Sequence, residues 1–127
     1  MMNTFNATGR LTKNPEIKFL QNGMAVTNLT IAVNRKKTQN NSEPGADYLN
    51  CVAWGKTAKN VADYTVKGSH VAIVAEARSR TYNKDDQTHY VVDFHVSEIE
   101  FLDSKEETEA RRNKQKQEQE QEQQQSN

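Results

Sequence analysis

The residues best suited to chemistry lie in 47–55, where Tyr48, Asn50, Val52 and Trp54 alternate with Leu49, Cys51 and Ala53. In an extended strand the first set shares one face and the second the other. The second face reads as core, so two large rings stand on the face that is not. Rings on an otherwise polar sheet surface form a platform on which a flat partner can stack, and a nucleobase is the commonest such partner. Considered alone, the same rings could also pack against sheet neighbours or serve as hot spots for a protein partner.

Cations recur around this stretch. Arg35, Lys36 and Lys37 form a charge run in a polar loop, Lys56 follows Trp54 by two residues, and Arg78, Arg80 and Tyr82 recur at spacing two. Charge and ring alternating along one strand face suit a phosphate backbone with its bases turned inward. Such rings would be of no use against a duplex, whose stacked bases expose only their edges.

Other chemistry is poorly supported. His70, His89 and His95 lack metal-ligand spacing, Ser69 lacks a nucleophile-elbow context, and no Gly-rich phosphate cradle occurs. Neither an enzyme nor a cofactor or metal site is therefore expected. Cys51 is the single cysteine, which excludes an internal disulfide and a thiolate zinc site and suggests a reducing, cytoplasmic setting. The first ten residues carry no signal-like apolar run, and no membrane span is expected.

The elements that must position these residues occupy 1–103. Five β-segments and one helix are expected: about 3–12, a segment beyond the Asn22-Gly23 turn, the Tyr48 strand, a helix over 56–67 capped by Gly68, a strand from Ser69 through Tyr82, and a last segment over 89–102. Met24 and Val26 are out of phase with Leu29, Ile31 and Val33, which suggests a bulge or a strong bend near Asn28. A loop is expected over 35–46 and a polar turn over 83–87. Lysine plus arginine against aspartate plus glutamate is 12 against 11 in 1–103 and 5 against 6 in 104–127, so any attraction for phosphate must come from local placement.

Residues 104–127 contain no aromatic, Ile, Leu, Val or Met residue, and seven of the last thirteen are Gln. A disordered polar tail is expected there, with helix over part of 105–116 conceivable but no apolar stripe by which to dock it. The folded domain is thus placed at 1–103 and the tail at 104–127.

An all-β chain of five curved strands with one helix between the third and fourth has the order of the OB-fold, a five-stranded Greek-key barrel. The segments Gly9-Arg10-Leu11-Thr12-Lys13-Asn14-Pro15-Glu16, Asn22-Gly23-Met24-Ala25-Val26, Leu29-Thr30-Ile31-Ala32-Val33-Asn34-Arg35, Asn50-Cys51-Val52-Ala53-Trp54-Gly55-Lys56, Asn60-Val61-Ala62 and Lys67-Gly68-Ser69 resemble, in order, the signatures of the bacterial single-stranded DNA-binding protein family. The resemblance runs from about residue 3 to 102. It implies a non-enzymatic homotetramer that binds single-stranded DNA with little sequence preference in replication, recombination and repair. It also implies that Tyr48, Trp54 and Tyr82 stack bases and that Arg35, Lys56, Arg78 and Arg80 occupy or neighbour phosphate-tracking positions, while Arg35, Lys36 and Lys37 are found where the family often has a further aromatic just after its second strand. The acidic, Pro- and Phe-containing tip by which the family recruits replication and repair enzymes has no counterpart in 119–127, so that recruitment is not expected. A primosome-type accessory protein or a protein-interaction adaptor using the same aromatic face is the alternative.

Overall fold

The computed structural model describes residues 1–37, 40 and 44–125. The chain forms β1 (Phe5–Leu11), β2 (Glu16–Phe19), β3 (Ala25–Asn34), β4 (Ala46–Trp54), α1 (Gly55–Tyr64), β5 (His70–Lys84), β6 (Gln87–Phe101) and α2 (Lys105–Gln125). Neighbouring strands run in the order β1-β5-β6-β4-β3-β2, and β1 also pairs with β3 at Arg10↔Ala32 and Leu11↔Ile31. That second pairing closes five strands into a barrel and leaves β2 as a short sixth strand outside the ring. β4 and β6 are the parallel neighbours, meeting at Cys51↔Phe94 and Val52↔His95.

Closure demands close approach at one point. A Cβ on Gly9 would lie 2.5 Å from the carbonyl oxygen of Ala32, so β1 can cross β3 there only without a side chain. Inside the ring, Leu11, Leu29, Ile31, Cys51, Ala53, Val71, Ile73, Ala75 and Val96 are buried, with Ala58 and Val61 of α1 covering one end.

Several expectations change. β3 shows no bulge near Asn28: its burial alternates without a break, and its pairing with β4 is continuous from Val26↔Trp54 to Asn34↔Ala46. Thr27 disguised the phase, being fully buried with its hydroxyl donating to the Ala58 carbonyl at 2.8 Å. The irregularity lies instead where Val74 pairs Glu98 but Ala75 pairs Val96, so Ser97 is the extra residue and its hydroxyl donates to the Val74 carbonyl at 3.0 Å. This accounts for the phase change between Val96 and Ile99.

The first helix ends at Tyr64 rather than Lys67, because Thr65 turns extended and its hydroxyl satisfies the Val61 carbonyl. Gly68 is left-handed (φ 90°) but serves the turn into β5, not the helix end. The Asn22-Gly23 turn joins β2 to β3, with Gly23 at φ 85°. Residues 38, 39 and 41–43 of the expected 35–46 loop lie outside the described residues; its ends are tied where the Arg35 N–H donates to the Gly45 carbonyl.

The expectation of a disordered tail is corrected for 105–125, which are helical. Ser104 and Glu107 form a reciprocal capping box: the Glu107 N–H donates to Ser104 Oγ at 3.1 Å, and the Ser104 N–H to Glu107 Oε1 at 3.2 Å. The helix has no apolar stripe, and it docks through polar groups. Arg111 pairs with Asp103, Arg112 donates to the Asp63 carbonyl, and Gln115 donates to Asn14 Oδ1 at 3.1 Å. Among the described residues no helix is long and apolar enough to cross a membrane.

Candidate nucleic-acid interface

Directly paired residues share a sheet face, so the register traces one surface across three strands. On β4 it carries Tyr48, Asn50, Val52 and Trp54. Across the parallel pairing Val52 meets His95 of β6, and across the antiparallel pairing His95 meets Glu76, Asp93 meets Arg78, Val91 meets Arg80 and His89 meets Tyr82. Tyr48, Trp54 and Tyr82 are 68%, 41% and 42% exposed. The structure thus brings the three expected rings, Arg78 and Arg80 onto one continuous face. Cys51 and Ala53 are buried beneath it, as the alternation requires.

The hairpin that carries Tyr82 reaches past the barrel. Residues 78–88 are all exposed, and the chain reverses through Asp85 and Asp86 at φ 54° and 60°. A two-residue loop with both residues left-handed matches the right-handed twist of the strands it joins. The opposite face of this ribbon bears Tyr90 and Val92, 79% and 50% exposed, which continue the core-facing phase beyond the core.

The cations divide into paired and unpaired. Arg80 Nε lies 2.6 Å from Asp93 Oδ2, and Arg78 Nη2 lies 3.1 Å from Glu76 Oε2. Arg35 holds Asp47 through two nitrogens, with Nη2 2.7 Å from Oδ1. That hydrogen bond keeps the Asp47 carboxyl below the usual carboxylate range and raises the Arg35 guanidinium above its own. Asp47 has the phase of Leu49, so Arg35 sits at the rim beside the ring-bearing face rather than on it. Lys36, Lys37 and Lys56 are exposed and make no ion pair among the described residues. Lys56 opens α1, two residues beyond Trp54.

Sequence reasoning missed two residues of this face. His95 accepts a hydrogen bond at Nδ1 from Trp54 Nε1 at 3.3 Å, and the two rings lie 6.2 Å apart at 24°. His89 stacks on Tyr82 at 5.0 Å and 17°. The second pairing was readable from the hairpin, since equal steps from its turn make Tyr82 and His89 opposite. The first was not, because only the parallel β4–β6 contact joins positions 41 apart. Among the described residues no group of three or more His, Cys, Asp and Glu is placed to hold a metal.

A closed five-stranded barrel with a ring-bearing outer face defines the OB class of binding proteins. The model of the single-strand binding protein family matches residues 2–102, and the chain belongs to that family, which is non-enzymatic. It is similar to single-stranded DNA-binding protein 2 of Streptococcus agalactiae serotype V, 40% identical over 113 residues that make up 89% of this chain and 86% of the relative. It is also similar to single-stranded DNA-binding protein A of Bacillus subtilis, 39% identical over 106 residues, 83% of this chain and 62% of the relative. A third relative, single-stranded DNA-binding protein 2 of Listeria monocytogenes, is 41% identical over 106 residues, 83% of this chain and 66% of its own length.

Proposed function

We propose that this chain binds single-stranded DNA with little sequence preference, stacking bases on Tyr48, Trp54 and Tyr82 while phosphates follow Arg78, Arg80 and Lys56 and reach Arg35, Lys36 and Lys37 at the rim. The observation that carries this reading is the exposure of three rings on one face of β4, β6 and β5, bordered by cations, in a member of the single-strand binding protein family. Every base has a π-face, so stacking is indifferent to sequence and contributes roughly 1–3 kcal/mol per base. Binding only the unpaired state, the protein melts hairpins by mass action and shields the strand from nucleases during replication, recombination and repair.

The working form is a cytoplasmic homotetramer built on the domain 1–103. Its subunit contact is placed on the outer face of β1, β5 and β6, where the small apolar Ala72 and Val74 line a shallow groove of about 400 Å³ together with Asn6, Thr8, Glu98 and Glu100.

Titration with oligo-dT, followed by Trp54 fluorescence with an equal-length duplex as control, tests the reading. Strong quenching by oligo-dT and none by the duplex is expected. Absence of quenching and of binding would overturn it and turn the exposed rings into a protein-contact surface.

A further inference from the structure

Trp54 is held from one side. Its indole N–H can only donate, so the His95 Nδ1 that receives it must be the bare nitrogen of a neutral imidazole. The ring centroids lie 6.2 Å apart with their planes tilted by 24°, the edge-to-edge geometry of this hydrogen bond, which fixes the orientation of the indole on the exposed face. A protonated imidazole carries N–H on both nitrogens, would turn a donor toward a donor, and cannot keep this bond.

The other groups around His95 do not substitute for Trp54. From β5 the residue opposite is Glu76, whose carboxylate is engaged by Arg78. From β4 the neighbours are Val52 and Trp54 itself. Along β6, Asp93 lies two residues away on the same face and is engaged by Arg80. The first charge of α1 is Lys56, which cannot accept a hydrogen bond.

We infer that His95 is a positioning residue for the Trp54 platform: its neutral imidazole holds the indole ready for a base, and its protonation sets the ring free. The inference rests on Trp54 being a base-stacking ring, as proposed above. A ring held before binding costs less to order when the base arrives, so His95 contributes to affinity without touching DNA.

The chain has one tryptophan, so its emission reports on this ring alone. The experiment compares the full-length parent, His95→Asn and His95→Phe, first without DNA and then with oligo-dT. Between about pH 8 and about pH 5.5, the span in which imidazoles change charge, emission of the parent should shift to the red and its quenching by acrylamide should rise about twofold. His95→Asn places an amide oxygen near the position of Nδ1; it should show no pH step and match the parent at the higher pH. His95→Phe keeps an aromatic ring but no acceptor; it should show no step and match the acid form throughout. At the higher pH, oligo-dT should bind His95→Phe roughly three- to tenfold more weakly and His95→Asn within about twofold of the parent, as expected for unfreezing one large side chain.

Absence of the step in the parent would overturn the inference. So would its survival in His95→Asn, which would assign it to His70 or His89. Failure of oligo-dT to quench the parent would instead refute the functional reading, while the DNA-free titration still judged the Trp54–His95 contact.

Discussion

Cys51 lies directly beneath the ring-bearing face, 2% exposed, with its S–H donating to the Leu49 carbonyl at 3.7 Å. Burial pushes its thiol up from 9.0 to about 12. The unfolded chain therefore releases this proton first: the contribution is whole below about pH 9, is lost as pH climbs toward 12, and does not change further above it. Urea unfolding at about pH 8 and about pH 10.5 should show a smaller loss of midpoint in Cys51→Ala than in the parent, with the other high-pH titrations common to both. Equal losses would refute the assignment. At this scale Tyr48 and Trp54 were legible, because period two separates them from Cys51 and Ala53 without further knowledge. Their surroundings were less so. The Arg78–Glu76 pair can be read from spacing, whereas Arg35–Asp47 and Arg80–Asp93 exist only once strands are paired.

Among the elements, α2 shows how composition misleads. A segment without apolar anchors reads as disordered, yet the Ser104 and Glu107 signature and a run of good helix formers specify its start locally, and its docking uses one partly buried ion pair. Asp103 is the hinge of that docking, since its Oδ2 also accepts the His70 N–H at 3.1 Å at the head of β5. The hydrogen bonds of Arg111, Arg112 and Gln115 run to Asp103, Asp63 and Asn14, none of which belongs to the ring-bearing face. Deleting 104–127 should therefore leave affinity for oligo-dT within about twofold while lowering Tm by roughly 4–8 °C, the shift that ~1 kcal/mol produces in a domain of this size. Fluorescence titration and a thermal scan of the truncated chain check both halves; a tenfold loss of affinity would make the helix part of the binding surface. β3 taught the converse lesson, for a buried threonine with a satisfied hydroxyl carries the core phase as well as a valine would.

For the molecule as a whole, a formal net charge of +0 leaves little long-range pull on a polyanion. Placement does not fully compensate, because Arg35, Arg78 and Arg80 already face carboxylates. A phosphate reaching these arginines displaces few counterions, whereas one reaching Lys36, Lys37 or Lys56 displaces a full share. At about 0.7 per contact on single strands, the log–log slope of affinity against salt should lie nearer about 2 than about 4 per protomer. Oligo-dT titrations across a salt series measure it, and a slope near 4 would mean that the carboxylates let go on binding. β2 went unread and the barrel followed only from the likeness of the element order to the OB-fold, but the other five strands and α1 were readable in order from periodicity and turn residues. The β1–β3 closure and the parallel β4–β6 contact were not, since both join segments with no local signal of each other.

The long hairpin has a consequence for how such proteins diversify. Residues 78–88 carry the Arg78, Arg80 and Tyr82 series yet support no core, so mutations there are not filtered by folding. On the proposed reading, selection on this stretch acts through contact with DNA. Descendants can retune grip and reach by rewriting one ribbon, while the barrel that makes it remains untouched.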